Sequence, residues 1–202
     1  MIDLSGKLIV FEGIDSSGKS TQARLLSERL QSLGLPVVRT REPGGTPIAE
    51  LIRDVLLKNE HSALLPLSEL LLFIVSRTQN THEVIRPAID LGKTVVASRY
   101  RMSSLAYQGY GRGIDLALVH RLNEEATGGQ KADITFLVDL PVKIALARKT
   151  NADRIEDESL QFHQRVRNGF LELASQDASV FVLDGRRAKR EIADDVARRL
   201  EL

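Results

Sequence analysis

The sequence predicts an α/β fold, a parallel sheet with helices on both faces, and three observations carry that expectation. Apolar runs rich in Val, Ile and Phe recur at residues 7–11, 36–40, 94–98, 134–139 and 180–183. They are nearly continuous in apolar character, as strands buried on both faces are. Helical patterns separate them, and strands alternating with helices assemble into parallel sheets. The first run also leads straight into Gly13-Ile14-Asp15-Ser16-Ser17-Gly18-Lys19-Ser20, which fits G-x-x-x-x-G-K-[ST] in the strand–loop–helix context that makes this motif a phosphate site.

Taken in chain order, each element has its own warrant. After the loop, Ala23, Leu26, Leu30 and Leu33 fall on one helical face. The glycines let backbone N–H groups turn inward toward an anion, and the helix N-terminus adds partial positive charge. Lys19 is placed to reach the β- and γ-phosphates of a nucleoside triphosphate, and the Ser20 hydroxyl to hold Mg²⁺. The second strand runs into Arg41-Glu42-Pro43-Gly44-Gly45-Thr46-Pro47: a tight turn, then an N-cap with Pro at the first helical position. Residues 67–90 form a long helical pattern, strained or ended near Pro87. Phe73 and Arg77 share a face of it, either as a base-stacking ring with a phosphate-binding Arg or as a core Phe with a surface Arg. The third strand ends at Ser98-Arg99-Tyr100, where an Arg faces the cleft and suits bidentate phosphate recognition. Tyr107 and Gln108 offer a flat wall and an amide, and Gly109, Gly111 and Gly113 suggest a mobile or tightly turned loop. There, Arg112 reads equally as solvated or functional. Residues 148–158 are short and highly charged: a solvated loop, or a lid that brings an arginine to a transferring phosphoryl group and excludes water. The last helix carries Ile192, Val196 and Leu200 at helical spacing.

The 202 residues suit a single domain, and 43% hydrophobic residues allow a sizeable core. A formal net charge of +1 gives no global argument for nucleic acid or a membrane surface. Cysteine is absent, which removes disulfides and thiolate chemistry and fits a reducing cytoplasm. Residues 1–7 resemble no signal peptide. The longest apolar stretch, at 64–75, is broken by Pro66, Ser68 and Glu69 and is too short to span a bilayer.

Together these motifs resemble the thymidylate kinase family over nearly the whole chain. The residues that carry the likeness are the Phe-Glu-Gly-Ile-Asp lead into the phosphate loop, Arg41-Glu42-Pro43-Gly44-Gly45-Thr46, and the Leu-rich helix ending at Arg77. Arg99-Tyr100 with Ala106-Tyr107-Gln108-Gly109, and Asp153-Arg154-Ile155-Glu156, complete them. The resemblance implies a five-stranded nucleoside monophosphate kinase-like fold and a homodimer. It implies transfer of phosphate from ATP, with Mg²⁺, to dTMP, giving dTDP for dTTP biosynthesis. The alternative is another nucleoside monophosphate or deoxynucleoside kinase of the same fold. It further implies ATP binding by Gly13, Ile14, Asp15, Ser16, Ser17, Gly18, Lys19, Ser20 and Thr21, and metal binding by Ser20 and Asp15. The acceptor site would comprise Asp15, Glu42, Pro43, Phe73 on thymine, Arg77, Arg99 on the phosphate, Ser103, Ser104, Gln108, and Tyr107 against a deoxy sugar. With no arginine in the phosphate loop, the catalytic arginine falls to the lid: Arg148 or Arg154, with Lys149 a lesser candidate. Lys19, Arg99 and Asp15 complete the catalytic set. The chain departs from the family in having Ser98 where Asp is usual, and in a short lid.

Overall fold

The computed structural model describes residues 2–148 and 153–202. Strands β1 (Leu8–Glu12), β2 (Val37–Arg41), β3 (Thr94–Ser98), β4 (Ile134–Asp139) and β5 (Val180–Asp184) form one sheet in the order β2-β3-β1-β4-β5, parallel throughout. The parallel sheet expected from the sequence is therefore present, each strand within a residue of its expected bounds. All five residues of β1 are buried, because both faces of the sheet are covered. Ile9 and Phe11 pack with Val96, Phe136 and Val138 on one face, against α1 (Lys19–Ser32) and α9 (Lys189–Arg199). Leu8 and Val10 point the other way, toward Val95, Ala97 and Ile85. This is the two-residue alternation of a strand, here apolar on both sides.

Between these strands run α2 (Pro47–Leu57), α3 (Pro66–Asn80), α4 (Arg86–Asp90), α5 (Arg101–Ser104), α6 (Leu116–Thr127), α7 (Val142–Ala147) and α8 (Leu160–Ser175). Thr46 caps α2 as expected, its side chain accepting from Ala49 N at 3.2 Å, with Pro47 at the start of the helix. On α1, Ala23, Leu26 and Leu30 are buried, but Leu33 lies beyond the last turn and is 46% exposed. The helix ends one residue too early to bring it onto the core face.

Two other expectations need correction. Residues 67–90 are helical throughout but not one regular α-helix, and of the two alternatives at Pro87 the pattern is strained there rather than ended. A π-helical turn, Thr81–Ile85, joins α3 to α4, and Pro87 sits in the first turn of α4. The wider turn lies just where the proline ring would meet the carbonyl of the preceding turn in a regular helix. Nor do Gly109 and Gly111 make a mobile loop. They belong to a second π-helical segment, Leu105–Gly111, and a Cβ at Gly111 would press on Phe162 and Val166 of α8. Only Gly113 serves a turn, at φ +78°.

The strand order places the chemistry. Neighbouring strands β1 and β4 send their connections in opposite directions, β1 toward β2 at one edge and β4 toward β5 at the other. Ligands gather in the crevice that such a reversal opens.

Candidate active site

The phosphate loop spans the gap from β1 to α1. Gly13 and Gly18 adopt φ +139° and +104°. At Gly13 a Cβ would lie 2.5 Å from the Val138 carbonyl oxygen, so the position needs glycine both for its conformation and for the close approach of β4. Lys19 is nearly buried, its Nζ donating to the Ile14 carbonyl at 3.2 Å and lying 3.5 Å from Asp15 Oδ1. Burial and the nearby Arg99 guanidinium lower its pKa to about 8, with Asp15 and Glu12 opposing. Residues 16–22 line a cleft of about 1100 Å³ together with Arg148, Gly185, Arg187 and Lys189. Arg148 reaches over this loop, with Nη1 3.5 Å from the Ser16 carbonyl and Nη2 3.4 Å from that of Gly185. Both contacts are long, so the guanidinium is loosely held beside the phosphate loop.

A second cleft, of about 450 Å³, opens beside the first and brings together nearly all the residues assigned to the acceptor site. Asp15, Glu42, Pro43, Phe73, Arg99, Ser103, Ser104, Tyr107 and Gln108 all line it. Arg99 is its electrostatic centre. Its backbone sits at φ +72°, a sparsely populated region for a side-chain-bearing residue and one that often marks a functional position. Its guanidinium donates to Asp15 Oδ1 at 2.5 Å, the Gly13 carbonyl at 3.1 Å, Ser103 Oγ at 3.0 Å and the Tyr107 hydroxyl at 3.1 Å. The Tyr107 hydroxyl in turn donates a hydrogen bond to Asp15 Oδ2 at 2.6 Å. Burial alone would raise the Asp15 carboxyl, but Arg99 and Lys19 hold it well below the ordinary carboxylate range. Burial and the adjacent Asp15 carboxylate push the Tyr107 phenol well up, so it stays a neutral donor. Behind Arg99, fully buried Glu12 accepts from Tyr100 N at 2.8 Å and from Ser103 N and Oγ at 3.1 and 2.5 Å, which fixes the start of α5.

Arg77 does not line the cleft. It is buried one layer behind, neither the surface arginine nor the free phosphate ligand weighed from the sequence. Its donors go to Glu42 Oε2 at 2.7 Å, Ser104 Oγ at 2.7 Å, Asn123 Oδ1 at 2.5 Å and the Tyr100 carbonyl at 2.9 Å. It thereby holds two cleft residues, Glu42 and Ser104, in place. Glu42 precedes a cis peptide bond to Pro43, and burial raises its carboxyl pKa against the pull of Arg77. Arg154 lies away from the phosphate loop: it is buried, donates to the Leu56 carbonyl at 2.9 Å and pairs with Glu69 Oε2 at 2.8 Å. Lys149 lies outside the described residues. The sequence reading missed Arg53 and Leu57, which border the cleft from α2; Arg53 donates to the Pro43 carbonyl at 2.8 Å. Only the Pro-Gly-Gly turn pointed there, since it opens α2 at the mouth of the cleft.

Among the described residues, no cluster of three His, Cys, Asp or Glu side chains is arranged to hold a metal by itself. The Ser20 hydroxyl, 3.0 Å from Ser98 Oγ, fits the single protein ligand that Mg²⁺ takes when triphosphate oxygens and water supply the rest. Asp15 fits that role poorly, because both of its oxygens are already engaged by Arg99 and Tyr107.

The thymidylate kinase family model matches residues 11–196. The chain belongs to the thymidylate kinase family. A member of this family is a dTMP kinase, a phosphotransferase that works with nucleotide substrates. The chain is 47% identical to the thymidylate kinase of Kosmotoga olearia over 94% of its own length and 93% of that protein's. It is 43% identical to that of Pelotomaculum thermopropionicum, covering 98% and 94% of the two chains. The crystal structure of thymidylate kinase from Ehrlichia chaffeensis superposes on 97% of this chain, covering 98% of its own, with a TM-score of 0.80 at 34% identity. No helix among the described residues is long and apolar enough to cross a membrane.

Proposed function

We propose that this chain transfers the γ-phosphoryl group of ATP directly to the phosphate of dTMP, forming dTDP for dTTP synthesis in the cytoplasm. The observation that carries this reading is that the two clefts meet where Lys19 Nζ lies 3.5 Å from Asp15 Oδ1. Asp15 and Arg99 border the acceptor cleft, while Lys19, four residues beyond Asp15, starts the helix that ends the phosphate loop.

The acceptor lies with its base between Phe73 and the Ser104–Gln108 wall, its deoxy sugar against Tyr107 and Asp15, and its phosphate on Arg99, with Arg53 beside it. An acceptor phosphate is already an anion at neutral pH, so no strong general base is needed. Catalysis then rests on alignment and on charge neutralisation in a dry site. Lys19 leaves its loop contacts for the β- and γ-phosphates. Arg148, loosely held over the loop, is the lid arginine best placed to meet the migrating group. Ser20 would hold a Mg²⁺ ion, which would supply further neutralisation of the phosphate charge. The test is ADP release from ATP with and without dTMP. Release that depends on dTMP supports the reading. Equal release without any acceptor would make the chain a hydrolase instead.

The chain acts as a homodimer on this reading. Support comes from the outer surface of α2 and α3, where Leu51, Val55, Leu67, Leu71 and Val75 stand exposed on two helices packed side by side. Apolar side chains concentrated in this way on one surface mark an interaction face.

A further inference from the structure

One carboxylate organises the base end of the acceptor cleft. Glu69 sits on α3, one turn before Phe73, and is 1% exposed. Its Oε1 accepts from Gln108 Nε2 at 2.9 Å and Arg112 Nε at 3.1 Å. Its Oε2 accepts from Arg112 Nη2 at 2.9 Å and pairs with Arg154 Nη1 at 2.8 Å. Four N–H donors from three residues thus converge on a single side chain. Arg112 is itself braced, by an ion pair to Glu158 and by stacking 4.6 Å above the Phe162 ring. Arg154 is braced through the Leu56 carbonyl. Burial works to raise the Glu69 carboxyl, but Arg112 and Gln108 outweigh it and hold the group ionised.

An ionised carboxylate accepts hydrogen bonds and donates none. The Gln108 amide must therefore turn its NH₂ toward Glu69. Its carbonyl oxygen is left on the other side, in a residue that lines the cleft. The clamp of Arg112 and Arg154 keeps Glu69 from turning to release that amide. We propose that Glu69 is a specificity-determining positioning residue: it fixes the Gln108 amide so that the cleft accepts a base carrying an N3–H donor and rejects one carrying an N3 acceptor. Thymine meets the Gln108 oxygen with its N3–H. Cytosine brings a lone pair to the same oxygen and is repelled, the kind of built-in clash that separates similar ligands. The inference rests on the dTMP reading and deepens it, since Glu69 touches no substrate and acts through Gln108.

The test is the ratio of kcat/KM for dTMP to that for dCMP, measured in the wild type, Glu69→Gln, Gln108→Leu and the double variant. A glutamine at position 69 both donates and accepts, so the Gln108 amide becomes free to flip and offer an N–H to cytosine. Glu69→Gln is expected to lower the ratio at least tenfold. Gln108→Leu should lower it too, with no further change on adding Glu69→Gln, because the two residues act as one unit. A ratio does not depend on the fraction of enzyme folded, so a merely structural Glu69 would leave it unmoved. If Glu69→Gln proves insoluble, pairing it with Arg154→Met removes the cation that loses its carboxylate, since Arg112 keeps Glu158, and carries the same comparison. With dTMP still preferred, an unchanged ratio in Glu69→Gln overturns the proposal alone, as does a further fall on top of Gln108→Leu. A wild-type preference for dCMP would overturn the dTMP reading and the proposal with it.

Discussion

Lys19 and Ser98 show what single residues contribute. The Lys19 ammonium is set between cost and gain: burial and Arg99 disfavour its charge, Asp15 and Glu12 favour it, and the balance leaves its pKa at about 8. The protonated form is the one that binds phosphate, so kcat/KM for ATP should fall as pH rises through about 8. Bound ATP adds negative charge beside the ammonium, so the corresponding break in kcat should lie at higher pH. Coincident breaks would contradict this electrostatic picture. Lys19→Met should leave a folded protein with at least ~100-fold lower turnover, the scale of losing one preorganised contact in the transition state. Ser98 faces Ser20 at 3.0 Å, where a carboxylate would border the metal's water shell. A serine hydrogen-bonds water but brings no charge. Ser98→Asp should therefore lower the half-saturating Mg²⁺ concentration at equal or higher kcat. A tenfold fall in kcat, about 1.4 kcal/mol of barrier, would mean the site is built around serine.

Among the elements, residues 148–158 divide their two arginines. Arg148, at the end of α7, lies over the phosphate loop, while Arg154 is anchored by Glu69 and the end of α2. Arg148→Ala should lower kcat with little change in either Michaelis constant, as for a contact made mainly in the transition state. Arg154→Ala should instead destabilise the fold, because it leaves part of the Glu69 charge buried without its partner. If Arg148→Ala keeps full kcat, the lid arginine is misassigned. The exposed faces of α2 and α3 make a second test at this scale. Leu71→Glu puts a charge in the middle of the apolar surface and should shift sedimentation from dimer to monomer. A wild type that sediments as a monomer at micromolar concentration would remove the dimer.

Across the whole molecule, what the sequence disclosed was local. Strands β1 to β5 announced themselves by continuous apolar runs, and the phosphate loop by glycines whose positive φ angles the backbone demands. Phe73, Arg99, Tyr107 and Gln108, which line one cleft, were brought together by the family resemblance, since the helix face alone left Phe73 open between base and core. What stayed hidden depends on partners far away in the chain. Glu69 reads as a charge interrupting an apolar run, yet its carboxylate meets Gln108 and Arg112 at separations of 39 and 43 residues. Arg77 gives no sign in its helix that four acceptors enclose it. The π-helical turns pass for ordinary helix and for a glycine loop, since no residue pattern separates them from α-helix. All of these parts converge on one claim, that the cleft beside the phosphate loop takes dTMP. Its most direct measurement is kcat/KM from ADP release with dTMP, dUMP, dCMP, dGMP and AMP as acceptors. dTMP should come first and dUMP second, lower by roughly 10–200-fold for the missing methyl group, with both purine nucleotides far behind. A preference for AMP or dGMP over dTMP would contradict it.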